Sequence, residues 1–450
     1  MKKVLPLMIA GCFAAGLAHG ADLLGVYRDA IAYDAQFAAA RAALAAGQEK
    51  LPQGRSGLLP TIGLSASTTW NDIDTTRRVN GASAVTTQYN TNGWTVQLTQ
   101  PLFRWQNWVS YTQSELAVAQ AEAQFVAARQ ELIVRVAQAY FDVLLAQDTL
   151  ATAKAQKIAI AEQLESAKRN FEVGTSTITD THEAQARYDL TSAQEIAAEN
   201  DLAVKRQVLR SVIGKEPEGL KNLRNGVQLA GPQPADIGKW VELAESGSAT
   251  VQIYQALQEI ATREVEKQRA GHYPTLDLVA TRGNSGSGFS STAGSGTDSK
   301  SSTIGVQLSI PLFAGGATVS KDREAVALKE KATADLDNAR RTSALNARQA
   351  YLGVSSGLAQ VKAYEAAITS SQSAVDSNKL GYEVGVRINI DVLNAQSQLF
   401  DTRQKLAKAR LDTLGALLKL KAAAGTLGEE DVAAINALLC PANPAGFFFP

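Results

Sequence analysis

Residues 116–144, LAVAQAEAQFVAARQELIVRVAQAYFDVL, decide the architecture. Leu116, Ala119, Ala123, Val126, Gln130, Ile133, Ala137, Tyr140 and Leu144 recur at alternating spacings of three and four. That is the seam of a coiled coil, not the 3.6-residue stripe of a helix lying on a globular core. The surrounding stretch Leu102–Ile213 has no proline and one glycine, Gly174, and Ala, Gln, Glu and Leu dominate it; all four are good helix formers. Read as one helix, Leu102–Val173 would run roughly 108 Å at about 1.5 Å per residue. No compact domain is that wide, so the spacing predicts a long hollow or fibrous assembly.

The same unit occurs twice. Ala139-Tyr140 returns as Ala350-Tyr351, and Phe171-Glu172-Val173-Gly174 as Tyr382-Glu383-Val384-Gly385. Ile178-Thr179-Asp180 returns within Ile388-Asn389-Ile390-Asp391, with Asp180 on Asp391, and Ala184-Gln185 as Ala395-Gln396. Every pair keeps one register without insertion, which marks a duplication. The expected division is a first repeat over 21–248 and a second over 249–437, with a tail over 438–450. The tips of the two coiled coils are expected near Gly174 and Gly385.

Lys plus Arg equal Asp plus Glu, 44 of each, so the charge balance gives no sign of nucleic-acid binding. Residues 1–20 read as a secretory signal: Lys2-Lys3, an apolar run from Val4 to Ala18, then Ala18-His19-Gly20 ahead of Ala21. Ile9-Ala10-Gly11-Cys12 also has the shape of a lipoprotein cleavage box, but the apolar run before Cys12 is short and Phe13–Leu17 continue it. Cleavage before Ala21 is the reading adopted. Cys440 is the second cysteine of the chain, and once the signal is removed it has no intrachain partner for a disulfide.

Asp22–Lys50 is alanine-rich and helical in character, and Pro52 and Pro60 are expected to break it. Strict alternation follows: Ile62, Leu64, Ala66, Thr68 and Trp70 on one face, Thr61, Gly63, Ser65, Ser67 and Thr69 on the other. Trp94, Val96 and Leu98 repeat it, as do Leu276, Leu278 and Ala280, then Ile304, Val306, Leu308 and Ile310. These are two β-hairpins, over 61–100 and 275–311, with polar loops expected at Asn71–Asn92 and Gly283–Ser302. Each hairpin leads through Pro-Leu-Phe, at Pro101–Phe103 and Pro311–Phe313, into a long helix. Trp70, Trp94, Phe103 and Trp105 at strand ends suit membrane interfaces, so the hairpins read as transmembrane. Four strands cannot close a barrel, and unpaired edges are not tolerated in lipid. Several chains must therefore share one barrel, and small polar residues facing inward make it a water-filled pore.

The return helix, about Thr181–Ile213, covers only half of Leu102–Val173. Asp22–Lys50 and Ala249–Arg269 have suitable lengths to partner the other half, and Gly214–Gly247, with its prolines and glycines, reads as an equatorial crossover (214–248).

Signal, helix, hairpin, long helix, Val-Gly tip and return helix, all duplicated, resemble the TolC family of outer-membrane efflux and type I secretion channels. The sharpest residues are Tyr382-Glu383-Val384-Gly385 through Arg387, Asp391 and Leu393, with Phe171–Gly174 and Ile178-Thr179-Asp180 in the first copy. The resemblance implies an all-α coiled-coil tunnel with a transmembrane β-barrel, four strands per chain and twelve in a homotrimer, reaching from the outer membrane into the periplasm. It implies a periplasmic adaptor and an inner-membrane ABC or RND-type transporter as partners. It implies a closed tip held by links from Thr179 and Asp180 of the first coil to Tyr382 and Arg387 of the second. It also implies an acidic constriction at Asp391, with Asn394 standing where the family pattern has a second acid. The bland reading of the same residues is a helical hairpin: Gly174 and Gly385 supply left-handed backbone, and the polar residues cap the next helix.

An enzyme is the rival class with least support. His182 and His272 lack metal-ligand spacing to any other His or Cys, and Gly283–Gly288 is not set in a strand–loop–helix phosphate cradle. No catalytic residue, cofactor or metal is therefore expected. A passive porin or a coiled-coil surface protein is the better alternative. The cargo, protein or small toxic compound, is not encoded in a tunnel without a pocket.

Overall fold

The computed structural model describes residues 22–76, 85–217, 219–224, 226–289 and 294–440; the signal segment, with Cys12, and residues 441–450 lie outside them. The described chain gathers into two compact units, each drawing on both halves of the sequence. One comprises 22–39, Ala128–Ser248 and 343–440; the other comprises Ala40–Ala127 and Ala249–Thr342.

In the second unit lies a four-stranded antiparallel sheet, built from β1 (Thr61–Thr75), β2 (Val85–Phe103), β4 (Thr275–Ser287) and β5 (Thr297–Ser309). Its order is β1-β2-β4-β5, so β1 and β5 each leave one edge unpaired within the chain. The expected loops at Asn71–Asn92 and Gly283–Ser302 are mostly strand: β1 pairs with β2 out to Thr75↔Val85, and β4 with β5 out to Ser287↔Thr297. Polar residues alternate there on both faces, so hydropathy reads them as loop although the backbone ladder continues. The two hairpins also leave the sheet differently. β2 keeps Pro101-Leu102-Phe103, whereas β5 stops before Pro311 and the chain passes through Gly315 and Gly316, both at positive φ.

Cross-strand pairing sorts the sheet into two faces. One carries Ile62, Leu64, Val96, Leu98, Ala280, Ile304 and Val306. The other carries hydroxyls and is hollow: Ser65, Ser67, Thr91, Thr95, Ser285 and Ser299 line a recess of about 420 Å³. Glycine is required on the hollow face where strands crowd: a Cβ at Gly283 would lie 2.6 Å from the Trp94 carbonyl oxygen, and at Gly93 2.8 Å from that of Asn284. The apolar residues form an oblique band. From the row Ile62–Leu98–Ala280–Ile304 they extend toward the hairpin turn on β1, to Trp70, but toward the helices on β5, to Leu308. Strands tilted in a membrane give that offset.

In this unit α4 (Trp105–Glu172) takes the partners expected for its uncovered half. Gln113 donates to Ile260 O (3.2 Å) and Glu264 Oε2 (2.8 Å) of α7 (Ala249–Arg269). Gly47 of α2 (Ala35–Gln48) and Gly54 of α3 (Lys50–Ser56) sit so close to Ala121 and Ser114 that a Cβ would collide with each. Pro52 interrupts the helical run as expected: α2 ends at Gln48, the residue whose carbonyl an amide hydrogen at position 52 would have bonded. Pro52 itself lies in the first turn of α3, where a missing amide hydrogen costs nothing. The expected single helix over Asp22–Lys50 is instead split at Asp34, whose carboxylate accepts from Phe37 N (2.7 Å) and from Arg135 (2.8 Å).

The other unit holds the main core. Leu132, Ile133, Val136, Ala137, Tyr140, Val143 and Leu144 give α4 two buried stripes. Leu23, Val26 and Tyr27 of α1 (Leu23–Tyr33), Leu209 and Ile213 of α5 (Ile178–Ile213), and Leu414 and Leu418 of α9 (Asn389–Ala423) are buried as well. The Tyr140 hydroxyl donates to Lys221 O at 2.7 Å, and burial raises its pKa well above the usual phenol value. The crossover is more ordered than its prolines and glycines suggested. It contains α6 (Ile237–Gly247), whose Trp240 clusters with Val354 of α8 (Ala317–Glu383), Leu420 of α9 and Ala424, which caps α9. It also contains β3 (Asn222–Leu223), paired with β6 (Leu439–Cys440) beyond α10 (Glu429–Asn436). The start of the tail is thus tied to the crossover.

Gly425 ends α9 at φ +75°, and a Cβ there would lie 2.2 Å from Gly247 O; Gly174, at φ +78°, has open space around it. Both positions carry the left-handed penalty of about 1–2 kcal/mol for a residue with a Cβ. Gly174→Ala should therefore cost about that much in local stability, and Gly425→Ala distinctly more. Comparing the thermal midpoints of the two variants with wild type measures the difference.

Candidate functional site

The two helix reversals close the coiled coils, and they are built alike up to one turn. In the first, α4 ends as Val173 N donates to Arg169 O and Thr175 N to Asn170 O (2.8 Å), and Gly174 turns the chain. In the second, α8 ends with Val386 N and Arg387 N both donating to Gly381 O (2.8 and 2.9 Å), with Gly385 at φ +77°. Gly174 and Gly385 thus supply the left-handed backbone of a reversal. Gly381 has its own reason: a Cβ there would meet Arg387 Cγ at 2.7 Å, so the arginine stem folds back over it.

The helices that follow begin differently. Thr177 caps α5 in a capping box with Asp180. Asp180 Oδ2 accepts from Ser176 Oγ (2.6 Å), Thr177 Oγ1 (2.9 Å) and Thr177 N (3.0 Å). Burial pushes its carboxyl up, and the hydrogen bonds from Ser176 and Thr177 outweigh that and hold it below the usual range. In the second copy the equivalent cap position is Ile388, which offers no side-chain acceptor, and Arg387 stands where Ser176 stood. Asp391 is therefore released from capping. Its carboxylate is about one-third exposed and faces Arg387 Nη1 at 3.7 Å.

The two coils are stitched together by three polar links. Asn170 Nδ2 donates to the Tyr382 hydroxyl at 3.0 Å. Gln163 Nε2 donates to Asn389 Oδ1 (2.5 Å), while Asn389 Nδ2 donates to Asp180 O (3.3 Å). Arg187 Nη2 donates to Asn394 Oδ1 at 2.8 Å. A small apolar cluster lies among them: Ile160, Leu164, Ala167, Ala184 and Leu393, flanked by Tyr188 and Ile390.

Of the residues expected at the gate, Tyr382 and Asn394 join the two coils within one chain. Thr179 hydrogen-bonds Thr177 (3.0 Å), Asp180 reaches the second coil through its carbonyl, and Arg387 stays with Asp391. Asn389, fully buried, went unnoticed in the sequence, as did Gln163 and Asn170. The available signal was a polar residue where the first repeat has Ile178, inside an apolar cluster. Among the described residues, no three His, Cys, Asp or Glu side chains converge as a metal site.

The model of the outer membrane efflux protein family matches residues 26–215 and 240–426, both helix–hairpin–helix units. The chain belongs to the outer membrane efflux protein family. Over 441 residues it is 33% identical to the outer membrane protein TolC of Vibrio cholerae serotype O1, covering 97% of this chain and 98% of that one. It is 34% identical over 438 residues to the alkaline protease secretion protein AprF of Pseudomonas aeruginosa, covering 96% and 89%. The fold is that of VceC, an outer membrane protein of Vibrio cholerae, at a TM-score of 0.75 and 20% identity over 90% of this chain and 96% of that one. The protein is thus an outer-membrane export channel of the TolC type, pairing a membrane β-structure with a helical periplasmic tunnel.

The capping asymmetry separates Asp180 from Asp391 experimentally. Losing an N-cap partner costs about 0.5–2 kcal/mol, so Asp180→Asn should raise amide exchange at the start of α5, while Asp391→Asn leaves the start of α9 unchanged. Because Asp180 titrates below its ordinary value of about 4, its contribution is complete above that ordinary value and is lost as pH falls below it, through the lowered folded-state value. Amide exchange at residues 177–181, compared between neutral pH and a pH well below the ordinary carboxylate value, should show the loss in wild type and not in Asp180→Asn.

Proposed function

We propose that this channel works as a gated trimer, the exit duct for an inner-membrane transporter of the ABC or RND type joined to it by a periplasmic adaptor. The observation that carries the reading is the contrast between the tip and the rest of the coils. The seams around Tyr140 are apolar and deeply buried, whereas the tip coils meet through three polar links and one small cluster. Each hydrogen bond contributes on the order of 0.5–1.5 kcal/mol, and a shift of roughly 5.5 kcal/mol moves a two-state gate from 1:99 to 99:1. Three subunits repeating the links bring the sum into that range, so the tip is held shut but can be opened.

Trimerisation is supported by the sheet. Each chain presents two unpaired edges, and three copies give the twelve strands of a closed barrel. Ile196, Val204 and Val208 on α5 and Leu345 and Leu352 on α8, all exposed in a single chain, supply apolar surface for the neighbours. Asp391, freed from capping, is suited to an acidic constriction facing the three-fold axis. Asn394, held by Arg187, adds no second charge. Arg387, 59% exposed, is free to reach Asp180 of an adjacent subunit, completing with Thr179 and Tyr382 the gate set implied by the family resemblance. The full-length likeness to a protease secretion protein favours protein cargo over small molecules.

Single-channel recording in planar bilayers tests the gate. Tyr382→Phe with Asn389→Ala removes two of the three links and should raise the mean conductance several-fold, with the heat resistance of the trimer unchanged. Arg387→Ser alone should raise it less. Wild-type channels already fully open, or a double variant no more conductive than wild type, would show that the tip is not a gate.

Selectivity tests the constriction. A ring of carboxylates concentrates cations in a pore, so Asp391→Asn should move the reversal potential in a salt gradient toward zero. An unchanged potential would place Asp391 away from the conduction path.

A further inference from the structure

Two cations stand on the apolar face of the sheet. Arg282 of β4 lies opposite Val96 on one side and Ser302 on the other; Lys300 of β5 lies opposite Asn284, one row nearer the hairpin turn. They are diagonal neighbours across the β4–β5 ladder, about 7–8 Å apart at that spacing and within mutual reach of long side chains. Both are exposed, and neither has an ion pair or hydrogen bond among the described residues. The acids of this face lie farther toward the turns. Asp72 and Asp74 accept from Gln88 (3.1 Å) and Thr86 (2.5 Å), and Asp298 is one row beyond Lys300.

The position of the pair follows from the slant of the apolar band. On β1 and β2 the band ends toward the turns at Trp70 and Trp94, 80% and 42% exposed, the amphipathic side chains that mark a membrane border. On β4 and β5 the last apolar positions are Ala280 and Ile304, and the next positions on the same face are Arg282 and Ser302, then Asn284 and Lys300. Along the sheet the border thus changes from indole rings to cations. Because the helices are periplasmic, this border lies at the outer leaflet, whose glycolipid carries phosphates at that depth.

We propose that Arg282 and Lys300 clamp a phosphate of the outer-leaflet glycolipid, with its acyl chains lying along Leu278, Ala280, Ile304 and Val306. The guanidinium offers a planar fork that matches two phosphate oxygens, and the ammonium adds a point charge from the neighbouring strand. The proposal depends on the sheet lying in the outer membrane and is independent of the gate, since lipid retention is read without conductance.

The test is native mass spectrometry of the purified full-length channel in detergent with three lipids: bisphosphorylated lipid A, the same lipid without its phosphates, and phosphatidylglycerol. Wild type should retain bisphosphorylated lipid A most strongly. Arg282→Gln with Lys300→Gln should lower that retention roughly tenfold, as expected for loss of charge-assisted bonds, and Arg282→Lys with Lys300→Arg should restore most of it. Asp298→Asn should leave retention equal or raise it. Equal retention of phosphorylated and phosphate-free lipid A by wild type would overturn the proposal without recourse to any variant. So would equal retention of phosphatidylglycerol, or a double Gln variant that keeps lipid A as well as wild type does.

Discussion

A strand in hydrocarbon has no water to satisfy its amides, and that constraint governs this protein. The chain contributes four strands with two open edges, so it cannot stand alone in a membrane. The proposed closure by further copies would set what the rest of the chain has to do. Polar residues must go to the hollow face, apolar ones to the other, and the hollow face must curve sharply. Gly93 and Gly283 sit where a Cβ would strike the neighbouring backbone, which is how so few strands per chain can curl. The charge on the apolar face is constrained in the same way. Arg or Lys there costs about 2–4 kcal/mol at the bilayer midplane and about 0–1 near its borders, so Arg282 and Lys300 are tolerable only where the band ends.

Duplication supplied two equivalent tips, and a few substitutions gave them different chemistry. The repeat sets Thr177 against Ile388 and Asp180 against Asp391. With a hydroxyl at the cap, the acid three residues on is drawn into local hydrogen bonding; with isoleucine there, the same acid is released. The second reversal then gains Arg387, whose stem is accommodated by Gly381 where the first copy has Asn170. Asn170 in turn reaches Tyr382 on the other coil. One copy thus spends its polar groups on holding its own turn, while the other directs them outward.

The helical framework was legible because its signal is redundant: a seam of threes and fours, long runs without proline, and a duplication in constant register all agree. The outer parts of the strands were not legible. Where a barrel strand passes beyond the lipid both faces are polar, and Asp72, Asn90 or Ser299 looks the same in a ladder as in a loop. Pro52 was legible as a break: α2 ends at Gln48, four residues before it, and Pro52 itself sits in the first turn of α3. Capping residues Thr177 and Asp180 were visible as a pattern. The role of Asn389 was not, because its partners Gln163 and Asp180 lie more than 200 residues away in sequence. Only the three-dimensional meeting of the two coils makes a buried asparagine at that position intelligible.

The distribution of buried side chains supports the proposed gate, since it would let the tip change state without unfolding the rest. Tyr27, Tyr140, Leu132, Ile133, Leu209 and Leu418 are almost wholly enclosed, and large side chains so buried each contribute about 1.5–3 kcal/mol. The tip cluster has two alanines among its five core residues, and the remaining cohesion there is hydrogen bonding, whose net worth falls where water competes. Buried Asn389 is the exception: its amide must be satisfied as long as the coils stay together, and it regains water when they part. A polar group so placed adds little to the stability of the closed form and lowers the cost of leaving it. On the proposed gating, the tip would therefore yield before the coils do.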